Sequence, residues 1–195
     1  MSEAASYGRA QMITQNLSWT HRLAVDRAQR KFGELSKLCE QDRLDADLAY
    51  ATLCELLAWA RVVDEGFEVI LEGKATDSGK SYEALRQASL CGQHMLAARW
   101  ARNKTTHCLA RPIAQGTRVE DCPRRAQSLE WLPAGDVFKD VISNRKQGAG
   151  LVEYERLFAG QRVVETLQPV IAWISEVRYD YRDSGWADNW FSHRQ

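Results

Sequence analysis

The sequence predicts an all-α fold, a bundle of four to five long helices with an irregular insertion between the third and the last of them. Two observations carry this. Four long segments repeat apolar residues at helical spacing, and most of the links between them are short. The 195 residues suit one well-buried domain, with 16–177 as bundle core, 112–148 as the insertion and 178–195 as a polar, aromatic tail.

The first helix is expected over 17–41, with Asn16 or Ser18 as its N-cap and Leu17, Leu23, Ala24, Phe32, Leu35 and Leu38 on its apolar side. A second, more strongly patterned helix is expected from Asp45 to about Leu71, with Leu53, Leu56, Leu57, Ala60, Val63, Phe67, Ile70 and Leu71 as its stripe. EGKATDSGKS then breaks the period and reads as a loop. Its Gly79-Lys80-Ser81 ending suggests a phosphate loop, but Gly73 is one residue too far upstream and a helix precedes it where that motif needs a strand.

A third helix is expected over 81–110, ending before Pro112 because proline disfavours helical geometry in the residue before it. Residues 112–148 hold Pro112, Pro123, Pro133, Gly116 and Gly135, with a β-like piece at Ser128 to Leu132. A connection this long is functional, partly disordered or a small hairpin. The last long helix is expected over 149–177, with a kink at Pro169. In the tail, Trp186, Trp190 and Phe191 either dock back on the bundle or meet a partner.

Composition narrows the functional classes. Twenty-six Lys and Arg balance 26 Asp and Glu, so any attraction to nucleic acid must be local. No apolar run approaches a membrane span, and the N-terminus lacks the basic and apolar regions of a signal peptide; a cytoplasmic protein is expected. The five cysteines are scattered without a C-x-x-C pair and read as reduced thiols. Cys91, His94, His107 and Cys108 fit no structural zinc spacing, so neither a metal nor another cofactor is expected.

The third helix changes character along its length. Leu85, Ala88, Ser89, Gly92, Met95 and Leu96 share one side, and the same side continues as Arg99, Asn103, Thr106 and His107, with Arg102 at its edge. Burying so much charge is costly unless it is paired or solvated, so this end is expected to be partly open and to bind something anionic. Between Arg99 and Arg125 stand Arg99, Arg102, Lys104, Arg111, Arg118, Arg124 and Arg125, against Glu120 and Asp121 alone. Such a segment suits phosphates.

On the second helix Asp64 falls inside the apolar arc and needs a cationic or hydrogen-bonding partner, with Arg99, Arg102 and His107 as candidates. It is either a buried structural ion pair or an acid that orients a functional Arg or His.

Arg102-Asn103-x-x-x-His107, near the end of a long helix in an all-helical chain, resembles the signature of HEPN domains (higher eukaryotes and prokaryotes nucleotide-binding). The resemblance covers this motif and the helical architecture over 17–177; the insertion and the tail depart from a minimal bundle of that family. It implies metal-independent endoribonuclease activity in a homodimer whose two motifs meet across a cleft, in toxin–antitoxin or phage-defence settings, with an antitoxin or regulatory protein as a possible partner. Arg102 and His107 would then be the catalytic pair, Asn103, Asp64 and Thr106 its support, and Arg99, Lys104 and Arg111 an RNA-binding track. An imidazole with an ordinary pKa near 6.5 can take the 2′-hydroxyl proton or protonate the leaving 5′-oxygen, and a guanidinium can hold the charge that develops on phosphorus oxygens. In one protomer the two are about 140° apart around the helix, a separation that pooling two copies relieves.

The competing readings are a non-catalytic module that binds protein or nucleic acid through the same basic face, and a purely structural helical protein. In either, His107 is a residue favoured by the dipole at a helix C-terminus.

Overall fold

A computed structural model describes the backbone of residues 3–41, 43–72, 82–107, 111–116, 128–137 and 150–183, and side chains within 20–175 of these segments except 69–72, 107 and 116. Its elements are α1 (Glu3–Cys39), α2 (Ala46–Glu72), α3 (Tyr82–Ala88), α4 (Leu90–His107), β1 (Ile113–Gly116), β2 (Ser128–Trp131), α5 (Ala134–Val137), α6 (Leu151–Leu157) and α7 (Val163–Asp183). Over the described residues the fold is all-α apart from one two-stranded sheet. The GKS motif, Trp186, Trp190 and Phe191 lie outside the described residues.

Helix α2 packs between α1 and α4. Its start matches the sequence because Asp45 Oδ1 accepts the backbone N–H of Leu48 at 3.0 Å, the bond of an N-cap. Leu53, Leu56, Leu57, Ala60, Val63 and Phe67 are all buried, at the spacing of one helical face. Helix α1 lies along α2 and contributes Ala24, Val25, Ala28 and Leu35 to the core. It begins well before the expected cap: Asn16 and Ser18 are interior to it, since no proline interrupts residues 3–39.

The expected helix over 81–110 is two helices. Ser89 interrupts it, and Ala88, expected to face the core, is exposed. Gly92 permits the joint: a Cβ there would stand 2.2 Å from the Arg86 carbonyl oxygen. The Gln93 side chain donates to the Gln87 carbonyl at 2.7 Å and satisfies a group that the break strands.

The last helix is also divided, at Phe158–Arg162, while α7 runs on through Pro169. The division belongs to the hairpin. β1 and β2 pair antiparallel, with Ile113 opposite Trp131 and Gly116 opposite Ser128, so the β-like piece read from sequence is a strand. Trp131 accepts from Gly160 N–H at 2.8 Å and donates its own N–H to the Gln161 carbonyl at 3.0 Å. Gly160, at φ +73°, supplies the left-handed turn that this pairing needs.

The described parts of the insertion, 112–116 and 128–137, are therefore part of the core. Trp131 is buried against Phe158 with ring centroids 4.8 Å apart, and its indole N–H donates to Thr166 Oγ1 at 2.7 Å. Tyr154 stacks on Trp100 at 4.2 Å and donates to the Leu132 carbonyl at 2.6 Å. The tail also starts later than expected, because α7 extends to Asp183.

Candidate functional site

Helices α2 and α4 run antiparallel, and their polar side chains meet in two layers. The deeper layer is centred on Asp64, whose side chain is fully buried. Its carboxylate accepts from Tyr82 Oη at 2.7 Å, from Arg86 at 2.6 Å and from Arg99 at 2.9 Å. Glu68, one turn along α2, accepts from the same two guanidinium groups, at 2.8 Å from Arg86. Trp173 Nε1 donates to Tyr82 Oη at 3.1 Å and holds the phenol in place.

Two carboxylates face two guanidinium groups, so this layer is electrically balanced. Burial, reinforced by the Asp64 charge, pushes the Tyr82 hydroxyl far above its ordinary pKa, and it remains a neutral donor. The expectation that Asp64 needs a cation holds, with Arg99 among its partners. Arg86 joins it in place of Arg102 or His107, because the bend at Ser89 turns α3 back over α2.

Glu68 makes this layer pH-sensitive. Burial works against its charge, but hydrogen bonds from Arg99 and Arg86 hold its carboxyl below the ordinary value of 4.5. Its ionisation therefore stabilises the fold above about pH 4.5, and this contribution disappears as pH falls through the lower folded-state value. In Glu68→Gln the urea midpoint is expected to fall less steeply than in wild type as the pH is taken from 5 to about 3; parallel acid limbs would show that Glu68 does not carry the effect.

The second layer, one turn of α2 nearer its N-terminus, holds two of the motif residues. Arg61 donates through Nε to Glu65 at 2.5 Å and through Nη1 to Asn103 Oδ1 at 2.8 Å. Arg102 is beside them. Burial first, and the Arg61 charge second, lower its proton affinity, with Glu65 offsetting part of the effect. Its Nε is buried with no hydrogen-bond partner among the described residues. Among the described residues one carboxylate here faces two guanidinium groups, an excess of one positive charge.

The remaining expected residues are dispersed. Thr106 is exposed. His107 is the final residue of α4, and its side chain lies outside the described residues. Lys104 is buried, its ammonium 5.2 Å from the centroid of the Trp100 ring. Arg111 stacks on Tyr50 at 4.9 Å and donates to the Ala46 carbonyl at 3.2 Å, roughly 20 Å along α2 from Arg61 at 1.5 Å per residue. With Arg99 committed to Asp64 and Glu68, the expected cationic track contracts to Arg102 and its neighbours.

Sequence reading missed Arg61, Glu65 and Arg86. The signal for the first two was the i, i+4 pairing of a base and an acid on α2, next to the odd position of Asp64. The grouping of Cys91 with His94 resolves differently: His94 is buried beside Phe158 and engages the Leu90 carbonyl at 2.9 Å through Nδ1. Among the described residues no cluster of His, Cys, Asp and Glu is placed to hold a metal ion.

No known family model, curated protein or solved structure matches this chain.

Proposed function

We propose that the protein is a metal-independent endoribonuclease of HEPN type, acting as a homodimer in which the Arg102-to-His107 segments of two copies line one cleft. The observation that carries this reading is Arg102, whose buried Nε has no hydrogen-bond partner among the described residues and whose charge beside Arg61 is only partly offset by Glu65, on the helix that ends in His107. A phosphodiester supplies the missing negative charge. The 2′-oxygen attacks phosphorus as its proton passes to one imidazole, the P–O5′ bond breaks, and the 5′-oxygen receives a proton from the other. The products are a 2′,3′-cyclic phosphate and a 5′-hydroxyl. Arg102 stabilises the additional charge on the phosphoryl oxygens during transfer.

A toxin or phage-defence effector fits this chemistry, with cellular RNA as substrate and a regulatory protein as restraint. No described helix is long and apolar enough to cross a membrane, in keeping with action on RNA in the cytoplasm.

The test is incubation of the purified protein with a structured and an unstructured RNA in excess EDTA, followed by analysis of product ends. Cleavage leaving 2′,3′-cyclic phosphates is expected. Intact RNA from folded, dimeric protein overturns the reading; salt-sensitive retention of that RNA would identify a non-catalytic binding module instead.

A further inference from the structure

We infer that Arg61 and Glu65 of α2 belong to the same phosphate site as Arg102 and Asn103. Arg61 is a phosphate-binding residue that adds a second guanidinium and also aims the Asn103 amide, and Glu65 is an internal counter-ion that the phosphate displaces. The inference deepens the proposed function and rests on it for the identity of the ligand as an RNA phosphodiester.

The argument begins with what a guanidinium can do. It only donates hydrogen bonds, so its contact with Asn103 selects the amide oxygen. That contact turns the oxygen toward Arg61 and leaves the NH₂, a donor, as the group Asn103 has for a ligand. Arg102 offers only donors as well. A site made of two guanidinium groups and a donating amide recognises an acceptor-rich anion, and a phosphodiester has two charged oxygens to share among them.

The layer below supplies the contrast. It is built on the same two helices, also with acids beside cations, and there two carboxylates match two guanidinium groups with Asp64 fully buried. Among the described residues the Arg61 layer has a single acid for two guanidinium groups, and its ion pair is open to water, with Arg61 25% and Glu65 42% exposed. Ion pairs this exposed are weak and exchange partners readily. Glu65 thus screens the two cations when no phosphate is present and competes for Arg61 when one arrives.

The two α2 residues should therefore act in opposite directions. Binding of a 2′-O-methyl RNA oligonucleotide, which cannot undergo attack by its 2′-oxygen, is measured by fluorescence anisotropy across a salt series. Arg61→Gln is expected to weaken binding about tenfold and to lower the slope of log K against log salt by about 0.7, the loss of one phosphate contact on a single strand. Glu65→Gln is expected to tighten binding severalfold. Arg61→Lys, which keeps the charge and loses the fork, is expected to restore the slope while leaving the cleavage rate of ordinary RNA depressed.

Unchanged affinity in Arg61→Gln, or weakening in both variants, overturns the inference by reducing the pair to a structural link between helices. Absence of salt-sensitive binding by the wild-type protein overturns it outright. Opposite shifts in a wild-type protein that binds the oligonucleotide and cleaves nothing would uphold the site while removing the endoribonuclease.

Discussion

His107→Ala is expected to slow RNA cleavage in EDTA by about 100- to 10,000-fold, the range associated with a positioned acid or base, and Arg102→Ala by about 100- to 1,000-fold. The two losses have different origins. On the proposed mechanism the first removes the group that moves protons, and the second removes a cation matched to charge that grows during transfer. Neither change should unfold the protein. His107 is the terminal residue of α4, and Arg102 is only partly buried, with Asn103, not Arg102, bonded to Arg61 across the helix pair. Circular dichroism and sedimentation should therefore report a native, dimeric protein in both variants. Undiminished cleavage by either folded variant removes that residue from the chemistry.

Asp64→Ala is expected to have the opposite profile, destabilising the fold by about 3–5 kcal/mol through the loss of one partner in a buried ionic cluster. The substitution strands Arg86, whose side chain is 6% exposed, with Glu68 as its remaining anion, and leaves the buried Tyr82 hydroxyl without its acceptor. Asp64→Asn keeps an oxygen for Tyr82 and should lose less. Replacing Asp64 and Arg86 together by apolar residues of similar size should recover part of the single-variant loss, because no unpaired charge then remains buried. Urea unfolding reads all three. A fall of less than about 1 kcal/mol in Asp64→Ala would refute the structural role. Cleavage per folded molecule of Asp64→Asn tests the other reading of this acid: its partners are Arg86, Arg99 and Tyr82, so the rate is expected to hold.

Much of the architecture was legible because it depends on short-range pattern. The stripe from Leu53 to Phe67 placed α2 to within one residue at each end: the span expected from sequence is 45–71 and the helix is Ala46–Glu72. Ser128 to Leu132 was marked as β-like and contains β2. The joints were not legible. Ser89 breaks one long pattern because Gly92 lets α4 press against the Arg86 carbonyl, and the break at Phe158–Arg162 exists because Trp131, some 30 positions earlier, takes backbone hydrogen bonds there. A pattern of 3.6 residues carries no record of a partner that distant.

The same division runs through the site. From sequence alone, the polar switch along the helix from Arg99 to His107 and the need of Asp64 for a cation could both be determined, since each follows from where a residue falls on a helical wheel and from the cost of burying charge. Which cation answered Asp64, and which residues kept an unmatched charge among those described, was decided only when α2 and α4 packed antiparallel and α3 folded back. That packing spent Arg86 and Arg99 on two acids and left Arg102 beside Arg61 with one. Charge balance between packed helices is a sum over elements remote in sequence, and the tertiary structure alone performs it.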